Sequence, residues 1–334
     1  MKKLLLVMVV VALGSGLMLG VASPKPLLAA DPVEINLVSF IPKMNPLCKL
    51  WINQFVKEFN ERGEGKAKIV HRGGPEVIGP FDQGRAVAQG QIDMALAATT
   101  MYSSLVKGAD TIRNTHKGVK ELRANGYFEA LQEIHAKAGI YFVGWGLPML
   151  DAEYYFILVL KKPIEGRNDI KGLKLGGSPA FLGFIESLGG IPVKLAMPEY
   201  YSAAERGVSD GNICGYSSYL NLGLVDVAPY IIDTPFYKGT LSVIVNMNKW
   251  NSFPKDVQQL FTDVQLKVEE TMPAVFSKDE ADFKQKAVAK GAKLVKFSPE
   301  DAKWYRQKAE DAGWAFDATR YPADLISKFQ GFLK

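Results

Sequence analysis

The stretch Met197-Pro-Glu-Tyr-Tyr-Ser-Ala-Ala-Glu-Arg-Gly-Val-Ser-Asp-Gly211 holds the most informative pattern in this 334-residue chain. An acidic residue such as Glu199 is favoured at the start of a helix, because the helix dipole is positive there. The ending Gly-x-x-Asp-Gly is typical of a helix that stops in a turn, where glycine can adopt positive φ. We therefore interpret Glu199, Tyr201, Asp210 and Gly211 as residues that shape the fold rather than contact a ligand.

Strand-like and helix-like segments alternate on both sides of this stretch. Residues 33–40 carry apolar side chains at every second position, the period of a β-strand, whereas residues 50–59 carry a helical stripe. From Pro254 a long helical pattern follows, interrupted near Pro273, and one strand and a last pair of helices complete the chain. This alternation predicts an α/β fold with helices on both faces of its sheets. A ligand would then bind in a cleft between two interwoven lobes.

Residues 1–30 have the pattern of a secretory signal peptide. Lys2 and Lys3 precede an apolar run, and small residues offer cleavage sites after Ala22 or Ala30. An uncleaved anchor helix is the alternative, since an apolar run of this length can just span a bilayer. Cleavage would remove three lysines and no acid, which leaves the mature chain close to neutral and gives no support for nucleic-acid binding. We expect a periplasmic protein, secreted by a cleavable signal peptide.

The sequence carries no recognisable catalytic or metal-binding signature. The three histidines, His71, His116 and His135, lack the paired spacing of zinc ligands. Neither a Gly-x-Ser-x-Gly elbow nor a glycine-rich phosphate loop occurs. Cys48 and Cys214 could pair in an oxidising compartment, but we favour two unpaired, buried thiols. We expect no enzyme activity, no metal and no cofactor.

The quoted stretch matches the pattern Glu-x-Tyr-x-Ala-x-x-x-Gly-x-x-Asp-Gly at every fixed position. It resembles the solute-binding subunits of tripartite ATP-independent periplasmic (TRAP) transporters, the DctP-like family. Three further matches follow the family's order and spacing: Gly73-Gly-Pro-Glu-Val-Ile-Gly79 with Gly90-Gln-Ile-Asp-Met-Ala95, Lys162-Pro-Ile164 with Asp169-Ile-Lys-Gly-Leu-Lys-Leu175, and Asn248-Lys-Trp-Asn-Ser-Phe-Pro254. The resemblance covers residues 33–310.

The resemblance implies a two-lobed periplasmic binding protein fold with interwoven lobes, mixed sheets and a long bracing helix between Pro254 and Lys290. Lobe I would comprise residues 31–152 and 238–270, and lobe II residues 153–237 and 271–334. Such a receptor, which we expect to be a monomer, closes on a small-molecule solute and delivers it to the membrane subunits of a TRAP permease driven by an ion gradient. The alternatives are the binding protein of an ATP-driven importer, a ligand sensor and, less favoured, a secreted enzyme.

The chain departs from the family at positions that contact solute in carboxylate-binding members. The resemblance places one arginine at Gly176, a second near Tyr155 and Phe156, and an asparagine near Cys214. A guanidinium binds a carboxylate through two parallel hydrogen bonds, so we expect an arginine at position 176 to restore carboxylate binding. The residues at the solute-contacting positions differ from the family pattern, while the motifs that shape the fold are kept. We therefore predict that the solute differs as well.

Aromatic rings stand where the polar groups are missing. We predict ligand contacts from Thr99, Thr100, Trp145, Tyr155, Gly176, Met197, Cys214, Tyr216 and Tyr219, with Tyr154 and Phe156 in the same aromatic group. Stacking rings would suit a neutral, aromatic or amine-bearing solute. In the alternative, the rings belong to the core and Arg72, Arg85 or helix N-termini bind an organic acid.

Overall fold

A computed structural model describes residues 32–148 and 155–334 of the chain. The predicted export signal and Tyr154 lie outside these described residues. Within the two ranges, none of the helices combines the length and the hydropathy that crossing a bilayer requires.

The described residues contain eleven β-strands. They are β1 Val33–Ser39, β2 Ala67–Gly73, β3 Met94–Ala98, β4 Ile140–Pro148, β5 Ile157–Leu160, β6 Lys174–Gly177, β7 Ile191–Lys194, β8 Gly211–Cys214, β9 Tyr230–Ile232, β10 Thr240–Asn246 and β11 Lys293–Val295.

Thirteen α-helices occur in the same ranges. They are α1 Pro46–Trp51, α2 Lys57–Arg62, α3 Gln83–Ala88, α4 Thr99–Tyr102, α5 Val119–Ala124, α6 Tyr127–Ala136, α7 Pro179–Ser187, α8 Tyr200–Glu205, α9 Tyr216–Asn221, α10 Met247–Ser252, α11 Lys255–Ala289, α12 Pro299–Ala318 and α13 Ala323–Leu333. A π-helical segment, Ile52–Val56, joins α1 to α2, and short 3-10 helices lie at Thr111–Asn114, Arg167–Ile170, Met197–Glu199 and Leu224–Asp226.

The strands form two mixed sheets. The first has the order β2-β1-β3-β10-β4, with β1 parallel to both of its neighbours and β10 antiparallel to both of its own. The second has the order β11-β9-β5-β8-β6-β7, in which β5 runs antiparallel to β8 and β9. The chain leaves the first sheet after β4, builds most of the second, and returns to the first at β10. This topology confirms the predicted α/β fold with interwoven sheets.

Helix α11 packs against the cores of both sheets. Phe261, Val264 and Phe276 lie in the cluster that covers the first sheet. Ala287 lies in the cluster around β5 and β8, against which Phe283 also packs. The expected bracing helix is therefore present, and it is continuous through Pro273, where the sequence pattern predicted an interruption. Burial of Met272 and Phe276 near Pro273 offsets the backbone hydrogen bond that proline cannot donate.

The two C-terminal helices connect different parts of the fold. Helix α12 packs on α7, whereas Ile326 and Phe329 of α13 lie in the cluster that covers the other face of the first sheet. Arg113, in the 3-10 helix that follows α4, donates to Asp110 and to Asp317 of α12, and all three side chains are buried. The sequence assigned residues 271–334 to lobe II, while α13 packs with the first sheet. The division into lobes stays a prediction, because residues 32–334 form one compact unit.

Glu269 anchors α11 to β4. Its Oε1 accepts the backbone N–H of Trp145 at 3.0 Å and the side-chain amide of Gln265 at 2.8 Å, and Arg123 donates to both carboxylate oxygens. A Cβ at Gly144 would lie 2.3 Å from Oε1, so glycine at this position lets the carboxylate reach the strand. This ion pair between the buried Glu269 and the partly buried Arg123 holds the helix on the first sheet.

Glu269→Ala should lower the free energy of unfolding by about 3 kcal/mol or more, because Arg123 and two other donors lose their acceptor. Urea unfolding of the purified protein measures the change. Glu270→Ala, one residue further along and exposed, is the matched control and should unfold like the wild type. Equal stability of the two variants would contradict the anchoring role of Glu269.

Candidate functional site

Tyr155 lies where α11 passes from the first sheet to the second. Its ring centroid is 5.8 Å from that of Phe276, and its hydroxyl is 3.4 Å from Ser217 Oγ in α9. A Cβ at Gly215 would lie 2.3 Å from Tyr155 Cζ, so only glycine at the start of α9 leaves room for the ring. Tyr155 is partly buried and bridges the two halves of the fold.

Cys214 ends β8 just before this contact. Its side chain is fully buried and unpaired, as is that of Cys48, which confirms the prediction of two free thiols. Burial, reinforced by the charge of Glu280, raises the pKa of the Cys214 thiol. The thiol is therefore a neutral, weakly polar group beside α9.

Tyr216 opens α9 and faces the second sheet. Its hydroxyl donates to Asp233 Oδ1 at 3.5 Å, and Lys284 of α11 pairs with the same carboxylate oxygen. Burial is the main cause of the raised pKa of Tyr216, and the charges of Asp233 and Glu280 add to it. The three predicted site residues Tyr155, Cys214 and Tyr216 thus come together against α11.

Glu280 of α11 completes this group, and sequence reasoning missed it. Its Oε1 is shielded from solvent and has no hydrogen-bond partner among the described residues. Burial, with a smaller contribution from Asp279, raises the pKa of Glu280 to about 8. A single acid in a helix rich in charged residues gives no signal in the sequence. Its alignment with Phe276 and Lys284, four residues away on either side, becomes informative only when their partners are known.

Gly176 has no room for a side chain. It pairs with Asn212 of β8, and an added Cβ would lie 2.2 Å from Asn212 Oδ1 and 2.6 Å from Leu195 Cδ1. Asn212 is held in place, since Oδ1 accepts from Ser209 and Nδ2 lies 3.4 Å from the Tyr200 carbonyl oxygen. An arginine at position 176 would therefore require Asn212 and Leu195 to shift, and the expectation that it would restore a carboxylate clamp stays a prediction. Any contact of Gly176 with a solute comes from its backbone.

Two of the predicted aromatic residues are integral to the cores. Trp145 is fully buried in the first sheet, where it stacks with Tyr127 at a centroid distance of 6.5 Å. Tyr219 is fully buried and donates to the Ala228 carbonyl. For these two rings the structure favours the packing alternative.

The remaining predicted residues lie at other strand ends. Thr99 is buried and Thr100 exposed at the start of α4, directly after β3. Met197 is 46% exposed and begins the short 3-10 helix after β7. Their contact with a solute stays a prediction.

The other charged candidates are committed to structural contacts or lie on the surface. Arg72 pairs with Glu34, and Arg85 is exposed on α3. His71 shares a hydrogen bond with Ser39, and His135 with Tyr102. In the described part of the chain, no three acidic, histidine or cysteine side chains are grouped as a metal site would require.

A surface cavity of about 390 Å³ lies elsewhere, beside α12. Its lining residues are His116, Pro299, Ala302, Lys303, Arg306, Gln307 and Glu310. None of the predicted site residues lines it. We place the candidate site at Tyr155, Cys214, Tyr216 and Glu280, because these side chains meet where α11 links the two sheets.

Comparison with known proteins identifies relatives along nearly the whole chain. The family model DctP, described as bacterial extracellular solute-binding protein, family 7, matches residues 39–315. A monocarboxylate 2-oxoacid-binding periplasmic protein of a Nostoc species is 27% identical over 258 residues, which are 73% of this chain and 68% of that protein.

Solved structures share the fold at low sequence identity. A TRAP periplasmic solute-binding protein of Ochrobactrum anthropi has a TM-score of 0.77 at 16% identity, covering 91% of this chain and 95% of its own. One from Desulfovibrio salexigens, with bound orotic acid, has a TM-score of 0.76 at 18% identity, covering 90% and 98%. One from a Sulfitobacter species, with bound β-D-galacturonate, has a TM-score of 0.71 at 19% identity, covering 89% and 99%.

Gly176→Ala should destabilise the protein by about 1–3 kcal/mol, because the new methyl group overlaps with Asn212. Gly183→Ala is the matched control: nothing lies within 4 Å of its added Cβ. In the interior of α7 that change should be neutral or stabilise by up to about 1 kcal/mol. Thermal unfolding of both variants measures the difference, and a Gly176→Ala protein as stable as the wild type would contradict the packing described.

Proposed function

The chain belongs to family 7 of the bacterial extracellular solute-binding proteins, and we propose that it is the periplasmic receptor of a TRAP transporter. In this proposal the mature protein follows cleavage of an N-terminal signal, binds one small organic solute and passes it to the membrane permease. The family and the structural neighbours are solute-binding receptors, not enzymes.

One structural observation carries the proposal. Helix α11 packs on both sheets, and at the point where it passes between them it meets Tyr155, which contacts Phe276 on α11 and Ser217 on α9. A ligand at this point could contact both halves of the fold, so its binding would favour a closed arrangement. Aromatic rings, a thiol, hydroxyls and a carboxyl are groups that bind small organic molecules.

The known ligands of similar proteins fit a small organic solute. Neighbouring structures hold β-D-galacturonate, L-gulonate, orotic acid and pyroglutamic acid, and the Nostoc relative is described as binding 2-oxoacids. The solute of this chain is of similar size in our proposal. In our proposal its chemical class differs, because Gly176 stands where the resemblance places a carboxylate-binding arginine.

A thermal-shift screen of the mature protein against organic acids, amines and neutral compounds tests solute binding. A solute at one hundred times its dissociation constant should stabilise the protein by about 2.7 kcal/mol.

Tyr216→Phe should weaken binding of the solute found in this screen about fivefold or more, since it removes a hydroxyl at the site. Tyr219→Phe is the matched control on the same helix, and calorimetry should show unchanged affinity. If no small solute binds, or if both variants bind like the wild type, the site assignment fails.

Delivery to a permease is tested by uptake into proteoliposomes. The labelled hit should enter vesicles that contain the cognate TRAP permease only when this protein is added outside and an inward ion gradient is present. Uptake without the receptor, or uptake that requires ATP hydrolysis, would contradict the proposed role in transport.

A further inference from the structure

Three residues on one face of α11 lie beside the candidate site. Phe276, Glu280 and Lys284 are spaced four residues apart, so their side chains lie on the same side of the helix. The first contacts the ring of Tyr155, and the last pairs with Asp233, which also accepts from Tyr216. Glu280 lies on the same side of the helix between Phe276 and Lys284, and its charge acts on both Tyr155 and Tyr216.

Glu280 differs from the fully buried carboxylates of the described residues. Glu269 binds Arg123, and Asp110 and Asp317 both bind Arg113. Glu280 Oε1 is shielded from water and has no hydrogen-bond partner within residues 32–148 and 155–334, and Lys284, one turn further, is already paired with Asp233. A buried polar atom left without a partner is costly, and an external ligand that supplies a donor would remove the cost.

Among the described residues, the positive charge near Glu280 is Lys284, which is already paired with Asp233. The titratable and charged groups near it are Asp279 and Lys284 on α11, Tyr155 before β5, Cys214 of β8, Tyr216 of α9, and Asp233 after β9. Glu280 raises the pKa of Tyr155, Cys214 and Tyr216, in addition to the larger effect of their burial. These groups therefore stay neutral while Glu280 ionises, and the site becomes negative.

We infer that the solute of this receptor carries a positively charged nitrogen, which binds Glu280 as its counter-ion between the rings of Tyr155 and Tyr216. This inference rests on the proposed receptor function. An ammonium group would supply the missing donor to the carboxylate, and the two tyrosine rings would add cation–π attraction. A simple carboxylate solute would meet a like charge there.

Binding of such a cation is linked to a proton. Because the pKa of Glu280 is about 8 in the free protein, the carboxyl is mostly protonated at neutral pH, and cation binding displaces that proton. As the pH increases towards the pKa of Glu280, the association constant for the cation should rise about tenfold per pH unit. Above the pKa it should level off. A carboxylate that shared the proton with Glu280 would show the opposite dependence.

The experiment is a thermal-shift screen of the mature protein at pH 6 and pH 9. The probes are primary amines and quaternary ammonium compounds, each with a neutral compound of the same shape, and a set of small carboxylates. Calorimetry of the best hit in two buffers of different ionisation enthalpy then counts the protons exchanged. Glu280→Gln keeps the shape and hydrogen-bonding capacity of the side chain, and Glu270→Gln, exposed on the same helix, is the matched control.

We expect cations to raise the melting temperature more at pH 9 than at pH 6, with proton release on binding at pH 7. Glu280→Gln should weaken cation binding about thirtyfold or more and abolish the proton release, while Glu270→Gln changes neither. Binding of carboxylates or neutral compounds alone, or cation binding that Glu280→Gln leaves intact, would overturn the inference and leave the receptor function standing. If no probe of any class binds, the receptor function fails with it.

Discussion

The buried contact between Glu269 and Arg123 determines where the long helix α11 lies, and the candidate site depends on that position. Glu269 ties the N-terminal half of α11 to β4 through the Trp145 backbone and to α5 through the Arg123 guanidinium. The C-terminal half then extends over the second sheet, where Phe283 and Ala287 pack. Because the helix is continuous, a fixed position on the first sheet also fixes Glu280 relative to Tyr155 and Tyr216.

The candidate site combines aromatic side chains with a carboxyl whose Oε1 has no hydrogen-bond partner in the described part of the chain. In carboxylate-binding relatives, the resemblance places an arginine where this chain has Gly176. Here an added Cβ at position 176 would lie 2.2 Å from Asn212 Oδ1. In the inference drawn above, Glu280 contributes an ionisable acid to the site. The sign of the local charge would then be reversed, and a change of solute class would follow within the same fold.

Local patterns in the sequence predicted the helices and strands well. They could not predict contacts between residues that are distant in the chain. The alternation at residues 33–40 became β1, and the pattern after Pro254 became α11, because each depends on periodicity within one segment. The aromatic residues were harder, since Trp145 and Tyr216 look alike in sequence and both are buried, while the charge of Glu280 acts on Tyr216. Glu280 was missed because its role depends on Tyr155 and Cys214, which are distant in the chain.

A crystal structure of the mature protein with its solute tests the central claim most directly. The account predicts the solute beside α11, with a nitrogen within hydrogen-bond distance of Glu280 and its body between Tyr155 and Tyr216. It also predicts contacts from both sheets, because closure requires them. A solute bound at the cavity lined by His116 and Glu310, or one held by its carboxylate away from Glu280, would contradict the account.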